Sequence, residues 1–304
     1  MDVKSVVVGN NLSNLSTIPV FSDAQHGLIF TYENAQLLKT NDAGETWTSC
    51  FDASSIGSIL NIQFPNKDTA FFTIQDSPNH HSLCYRSTDA CATWTQVFTL
   101  NQNCYLNYYN GKHGFAVSAI PPAASLQLLE TSDAGTSWTV SSGTLPALYT
   151  SSIQFFDHSI GFGTSNGFFY KTIDGGTTWT SLGDYQERTP FAHSGKSFKT
   201  NYSDRGIYRT LNYGTTWTQV WVDSGHNFTN LTYCEDGKTV VASSDRCLMI
   251  SIDNGETWHF PLSKDGTDFS HYIFKGFVAV DDHTIIGAGG PETGYNATIL
   301  KITF

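Results

Sequence analysis

Positive charge is in short supply in this sequence. Over 304 residues, 16 lysines and arginines face 27 aspartates and glutamates, for a net charge of −11. Such a chain is repelled by phosphate backbones and by anionic lipid headgroups, so neither nucleic acid nor a charged membrane surface is an expected partner. Charged residues of both signs together make up only 14%. Ser, Thr, Asn and aromatic residues take their place, a composition that suits an extracellular, cell-surface or virion-surface β-protein. No apolar run approaches the ~20 residues of a membrane-spanning helix, so no membrane insertion is expected. Met1-Asp2-Val3-Lys4-Ser5-Val6-Val7-Val8 holds no long apolar stretch, so no signal peptide is visible in it.

What the chain does have is one short stretch, repeated. Thr172-Ile173-Asp174-Gly175-Gly176-Thr177-Thr178-Trp179 is the cleanest copy, and five others end at Trp47, Trp94, Trp138, Trp217 and Trp258. All fit Ser/Thr-x-Asp-x-Gly-x-Thr/Ser-Trp, with Cys91 in place of one glycine and Asn212 in place of one aspartate. Asp42, Asp89, Asp133, Asp174 and Asp253 fill that position elsewhere. Successive tryptophans are 47, 44, 41, 38 and 41 residues apart. A period of that length among short β-runs predicts a propeller or solenoid. Each copy sits between two alternating runs, which reads as strand, tight turn, strand. The aspartate accepts hydrogen bonds from N–H groups that the turn leaves unpaired. The glycine supplies positive φ, and the tryptophan offers a wide face to bury.

The motif resembles the Asp box, or BNR repeat, of sialidases, two-domain xyloglucanases, sortilin-type receptors and photosystem II assembly factors of the Ycf48 type. In repeat texture the resemblance runs to the Ycf48 type, on Ile153-Gln154-Phe155-Phe156-Asp157, Gly161-Phe162-Gly163, Gly167 and Lys171–Trp179. It implies a propeller in which the repeated turns are structural and lie away from the ligand.

The runs group into six four-stranded blades, each holding one box. Blade one is read as 18–21, 27–32, 36–40 and 46–50, and blade six as 228–234, 239–243, 248–251 and 257–260. After Trp258 three strands remain, at 272–280, 284–288 and 298–304, with no box. The orphan strand Lys4–Val8 is the missing fourth, with 10–17 a polar linker. The expectation is a single all-β domain over 1–304: a seven-bladed propeller of four-stranded antiparallel blades, closed by the N-terminal strand in the last blade. Six blades, with the C-terminal segment packed elsewhere, is the alternative. Of the six cysteines, Cys234 and Cys247 fall at opposite ends of parallel strands, roughly 10–15 Å apart. A disulfide needs Cα atoms within about 7 Å, so free thiols are the default.

Strand order puts the box turns at one end of the blades. The loops between second and third strands, and those between blades, lie at the other. Three of the five arginines, Arg188, Arg205 and Arg246, fall there, and guanidinium forks suit carboxylates and sulfates. Sialidases clamp an anion with three arginines. Their Arg-Ile-Pro signature is not present here; the nearest stretch is Thr17-Ile18-Pro19. Tyr149, Tyr185, Trp221, Tyr272 and Tyr295 are candidate stacking surfaces for sugar rings. His80 and His81 are adjacent, but their side chains point apart on an extended chain and no third ligand has a recognised spacing, so no metal and no cofactor is expected. Carboxylates Asp76, Asp184, Glu187, Asp223, Asp265, Asp268 and Glu292 share that rim, and no catalytic pair can be chosen among them from sequence. The reading is a non-enzymatic recognition module that binds a glycan or a protein partner through the end opposite the boxes. Alternatives are an assembly or scaffold factor of the Ycf48 kind and a glycoside hydrolase of the sialidase type.

Overall fold

In the computed structural model of the chain every regular element among the described residues is a β-strand. Those residues are 4–13, 19–31, 34–76, 81–100, 105–119, 126–141, 145, 150–184, 195–201, 203–222, 228, 230–233, 238–244, 247–260, 272–281, 284–291 and 296–303. Strand β1 (Lys4–Ser13) comes first. Blade one follows as β2 (Val20–Phe21), β3 (Gly27–Thr31), β4 (Gln36–Thr40) and β5 (Thr48–Asp52), and blade two as β6 (Gly57–Asn66), β7 (Thr69–Asp76), β8 (Ser82–Ser87) and β9 (Thr95–Leu100). Blade three holds β10 (Tyr105–Tyr108), β11 (Gly114–Ala119), β12 (Leu126–Thr131) and β13 (Thr139–Val140). Blade four holds β14 (Thr150–Phe155), β15 (Gly161–Ser165), β16 (Phe168–Thr172) and β17 (Thr180–Asp184). Blade five shows β18 (Ser197–Asn201), β19 (Gly206–Thr210) and β20 (Thr218–Val222). Blade six shows β21 (Asn230–Tyr233), β22 (Val240–Ser244) and β23 (Cys247–Ser251). The last blade is built from β24 (Tyr272–Asp281), β25 (Thr284–Pro291) and β26 (Asn296–Thr303). The fold is a seven-bladed β-propeller of antiparallel sheets.

The seventh sheet has the order β1-β26-β25-β24. The N-terminal strand is therefore its fourth member, with Lys4 opposite Thr303 and Val8 opposite Ile299. The strand is longer than expected. It bulges between Val8 and Leu12 and pairs again at Leu12 and Ser13, so 10–13 belong to the sheet and not to a linker.

The fourth strands also start later than the sequence suggested, at Thr48, Thr95, Thr139, Thr180 and Thr218. The reason is local: the Thr or Ser just before each tryptophan is bound by the turn and is unavailable to the ladder. In blade six the fourth strand is reduced to one bridge, Ile250 to His259. The expected first strand of blade five, 191–194, lies outside the described residues.

The second strands are the most deeply buried. Every residue of β3, β15 and β22 is buried. Their sequences, GLIFT, GFGTS and VVASS, are small or apolar and uncharged, as a strand covered on both faces requires.

The chain divides into two compact units, one of Met1–Glu33, Leu38–Thr48 and Gln186–Phe304, the other of Asn34–Leu37 and Ser49–Tyr185. In the first, Val241, Leu248 and Ile250 of blade six pack with Phe277, Ile285 and Ile302 of blade seven, and Ile286 of blade seven packs with Ile29, Phe21 and Trp47 of blade one. In the second, rings stack between blades: Phe71 on Tyr108 at 3.6 Å and Phe115 on Phe155 at 3.7 Å. Side-chain amides fasten neighbouring first strands there. Gln63 donates to the Leu106 carbonyl and accepts from the Tyr108 N–H, and Asn107 accepts from the Phe155 N–H at 2.6 Å. Each link pairs a backbone group on a strand edge that has no ladder partner on that side.

Candidate recognition site

The repeated turns are self-contained. Asp174 Oδ1 accepts from the Thr178 N–H (2.9 Å) and Oδ2 from the Thr178 hydroxyl (2.6 Å), while the Thr172 hydroxyl donates back to Oδ1 (2.8 Å). Thr172 Oγ1 in turn accepts from the Gly176 N–H, and Trp179 Nε1 donates to the Gly176 carbonyl at 3.0 Å. Asp42, Asp89, Asp133 and Asp253 repeat the carboxylate pattern. These donors stabilise the ionised carboxylate. The Thr93 hydroxyl, then its N–H, lowers Asp89 to about 2, and the Ser137 hydroxyl and N–H do the same for Asp133. At Asp42 and Asp253 burial opposes ionisation, yet the hydroxyl and N–H of Thr46 and of Thr257 outweigh it and the net shift is down. Asn212 fills the same role with its amide, accepting from the Thr216 N–H and donating to the Thr216 hydroxyl.

Two consecutive residues of each turn have positive φ, where one glycine was expected. The pairs are Ala43/Gly44, Ala90/Cys91, Ala134/Gly135, Gly175/Gly176, Tyr213/Gly214 and Asn254/Gly255. In three turns space also favours glycine at the second of the pair: a Cβ would lie 2.4 Å from Tyr108 Oη at Gly135, 2.3 Å from Leu128 Cδ2 at Gly176 and 2.6 Å from Phe198 Cε1 at Gly255. The N–H of the first donates to a turn between first and second strands: Ala43 to Gln25, Ala90 to Asp68, Ala134 to Lys112, Gly175 to Ser159, Tyr213 to Gly195 and Asn254 to Lys238. Four of these turns carry their own Asx motif. Asp23, Asn66, Asn110 and Asp157 each accept two following N–H groups. Sequence reasoning missed this second repeat, whose signal was an Asp or Asn four residues before Gly27, Ala70, Gly114 and Gly161.

Basic residues clamp the turns from a neighbouring blade. Arg86 donates to the Asp133 and Ala134 carbonyls, and Arg209 to the Asn254 carbonyl and Glu256. Lys301 approaches Glu45 at 4.0 Å. The carboxylates at positions 42, 89, 133, 174 and 253 and the Asp133, Ala134 and Asn254 carbonyls are thus engaged within the protein.

At the other end, Arg188, Arg246, Tyr149, Tyr185, Tyr295 and His80 lie outside the described residues, as do Cys104 and Cys234. Among the described cysteines, Cys50 is half-buried and Cys84 and Cys91 are buried. The His81 N–H donates to Asp76 Oδ1 at 2.8 Å, and the Asp76 N–H to the His81 carbonyl, closing the base of the β7–β8 loop. Trp221 packs against the cluster of Phe198, Ile207, Phe228, Val240 and Trp258. Arg205 is exposed, at φ 55° in the turn between β18 and β19.

Around Arg205 a polar and aromatic group comes together on blade five. Asp204 accepts from the Gly206 N–H (2.8 Å) and the Asn201 amide (3.2 Å). Tyr208 Oη donates to Asp204 and accepts from the Gln219 amide. That bond to Asp204 raises the Tyr208 phenol above the ordinary tyrosine value. The cross-strand pairs Lys199–Tyr208 and Tyr208–Gln219 set one row of the sheet, and Trp217 adds a second ring beside Lys199. Amides, a carboxylate, a guanidinium and two aromatic rings on one rigid blade are the groups that bind sugar hydroxyls or extended peptide backbone.

No protein-family model matches the chain, and no curated protein does. Solved structures do. The chain is similar to Ycf48 from Cyanidioschyzon merolae, at 17% identity over 99% of this chain and 98% of that one, with a TM-score of 0.68. It is similar to the extracellular domain of a protein described as a hybrid two-component system from B. thetaiotaomicron, at 12% identity and a TM-score of 0.60, over 98% of this chain and 39% of that one. A Ycf48 bound to D1 peptide aligns at 16% identity over 100% of this chain and 96% of that one, with a TM-score of 0.43. At these identities the first two likenesses are likenesses of fold.

Proposed function

We propose that the chain is a single-domain Asp-box propeller acting as a non-enzymatic recognition module, which binds a glycan or protein partner at the blade end opposite the repeated turns. One observation carries this reading. The carboxylates and hydroxyls of the repeated turns bind groups of their own turn, whereas at the other end Asn201, Asp204 and Arg205 of blade five, with Gln219 and Tyr208 beside them, gather two amides, a carboxylate, a guanidinium and a phenol at exposed or half-exposed positions. The composition fits a protein displayed outside the cell, where glycans and extended protein segments are presented.

The test is a binding screen against a glycan array and an array of extended peptides, with Asn201→Ala/Arg205→Ala and Asp174→Asn variants run alongside the unmodified chain. Binding should fall at least tenfold in the blade-five variant and stay unchanged in Asp174→Asn. The reverse pattern, with circular dichroism unaltered, would move the ligand to the repeated turns. Release of reducing sugar from any array member would make the protein a hydrolase.

A further inference from the structure

Cys91 is the one departure from glycine among the six boxes, and it has a counterpart in the preceding blade. The third residue after the motif tryptophan is Val97, Ser141, Leu182, Val220 or Pro261 in blades two to six, and Cys50 in blade one. Cysteine thus occurs once at each of two places in the repeat, in consecutive blades.

The packing of the other blades shows that these two places meet. Each box turn leans on the blade before its own. A Cβ at Gly255 of blade six would lie 3.6 Å from Val220 Cγ2 of blade five, and one at Gly135 of blade three 3.3 Å from Phe98 Cε1 of blade two. Cys91 stands where Gly255 stands, and Cys50 where Val220 stands. Strands β5 and β20 share one burial sequence: exposed, exposed, half-buried, half-buried, exposed. They also share their direction of packing. Trp221, next to Val220, joins the cluster around Trp258 of blade six. Phe51, next to Cys50, has its ring centre 4.7 Å from that of Phe72 and 6.4 Å from that of Trp94, both of blade two. The Cys91 side chain is buried, and the γ position facing its β carbon belongs to residue 50. A disulfide needs Cβ atoms about 3.5–4.5 Å apart, and a β carbon in van der Waals contact with a γ atom across the junction is within reach of that. Cys84 faces the other way, packed with Phe71, Leu106 and Tyr108 towards blade three.

We propose that Cys50 and Cys91 are a modification site, a thiol pair that a small-molecule disulfide oxidises to a cross-link between blades one and two. Cys50 is half-buried and Cys91 buried, which sets the order of events. The Cys50 thiolate attacks one sulfur of the reagent and expels the first reagent thiolate, leaving a mixed disulfide. Cys91 gives up its proton, attacks Cys50 Sγ and expels the second. The pair loses two protons and two electrons, and the reagent is reduced to two thiols.

The experiment treats the intact folded chain with oxidised glutathione, blocks remaining thiols with N-ethylmaleimide, and maps chymotryptic peptides by mass spectrometry without reduction. The peptides holding Cys50 and Cys91 should be joined, and the oxidised chain should melt several degrees higher than the same sample after dithiothreitol. Cys91→Gly, which restores the residue ordinary to the turn, should instead retain glutathione on Cys50. Retention of glutathione on Cys50 in the parent chain, with Cys91 left as a thiol, would overturn the proposal. So would the joining of Cys50 to any other cysteine, or a Cys50 that does not react with glutathione in either chain.

Discussion

At the scale of the residue, the repeated turn is an acid-sensitive device whose fifth copy is already insensitive. Asp89 and Asp133 are held at about 2 in the folded protein by hydroxyl and N–H donors, against about 3.9 for a free aspartate. A depressed folded value means stability that is present above about pH 4 and is lost as pH falls through about 2. The Asn212 amide reproduces the geometry without titrating. Asp133→Asn should therefore melt at an unchanged temperature at pH 7, and fall less steeply than the parent between pH 4 and pH 2. Asp133→Ala, which leaves the Ser137 N–H without its acceptor, should melt lower at both. Equal slopes for Asp133→Asn and the parent, measured by calorimetry across that range, would show that the turn carboxylate does not contribute to acid unfolding.

At the scale of the element, the second repeated turn departs from its siblings at one residue. Gly44, Gly135, Gly176, Gly214 and Gly255 have φ of 77–85°, while Cys91 stands at 61°. In the first, third, fourth and sixth turns the tryptophan Nε1 donates to the carbonyl of that residue. Trp94 Nε1 is buried with no acceptor. We attribute this to the different rotation of the Cys91 peptide, since Trp94 is drawn instead into the rings of Phe51 and Phe72. Cys91→Gly relieves the left-handed conformation, which is worth up to about 1 kcal/mol, and regaining the Trp94 hydrogen bond adds about 0.5–1.5 kcal/mol. Loss of the buried thiol's packing offsets part of this. The variant should melt a few degrees higher under reducing conditions; a lower melting temperature would mean that the packing of the thiol outweighs both.

At the scale of the whole molecule, the two ends of the chain meet in one sheet. β1 supplies the fourth strand of the seventh blade along Lys4–Val8 and again at Leu12 and Ser13. Removing 1–13 exposes the outer edge of β26, a row of unpaired N–H and C=O groups that templates association. The expected result is a large fall in melting temperature, accompanied by aggregation in light scattering, out of proportion to thirteen terminal residues. A truncated chain that stays monomeric and melts within about two degrees of the parent would show that β1 adds little to the sheet's stability.

The architecture was legible because a propeller writes itself locally. Each blade is a contiguous run, its turn chemistry recurs at a near-constant spacing, and the Asp–Thr–Trp set needs only residues within eight positions of one another. Even the closing strand could be deduced, since Lys4–Val8 and the box-less last blade each lacked a partner. What only the tertiary structure decided involves residues far apart in sequence. The doubled positive φ follows from the N–H of one turn reaching the carbonyl of another, as from Ala134 to Lys112. Arg86 and Arg209 became clamps and not solvated charges because the next blade's turn lies within their reach. Lys199 reads in the sequence as one more lysine on a short strand. Its setting between Trp217 and Tyr208 arises from register across three strands, and register is a property of paired chains, which a single run of residues does not carry.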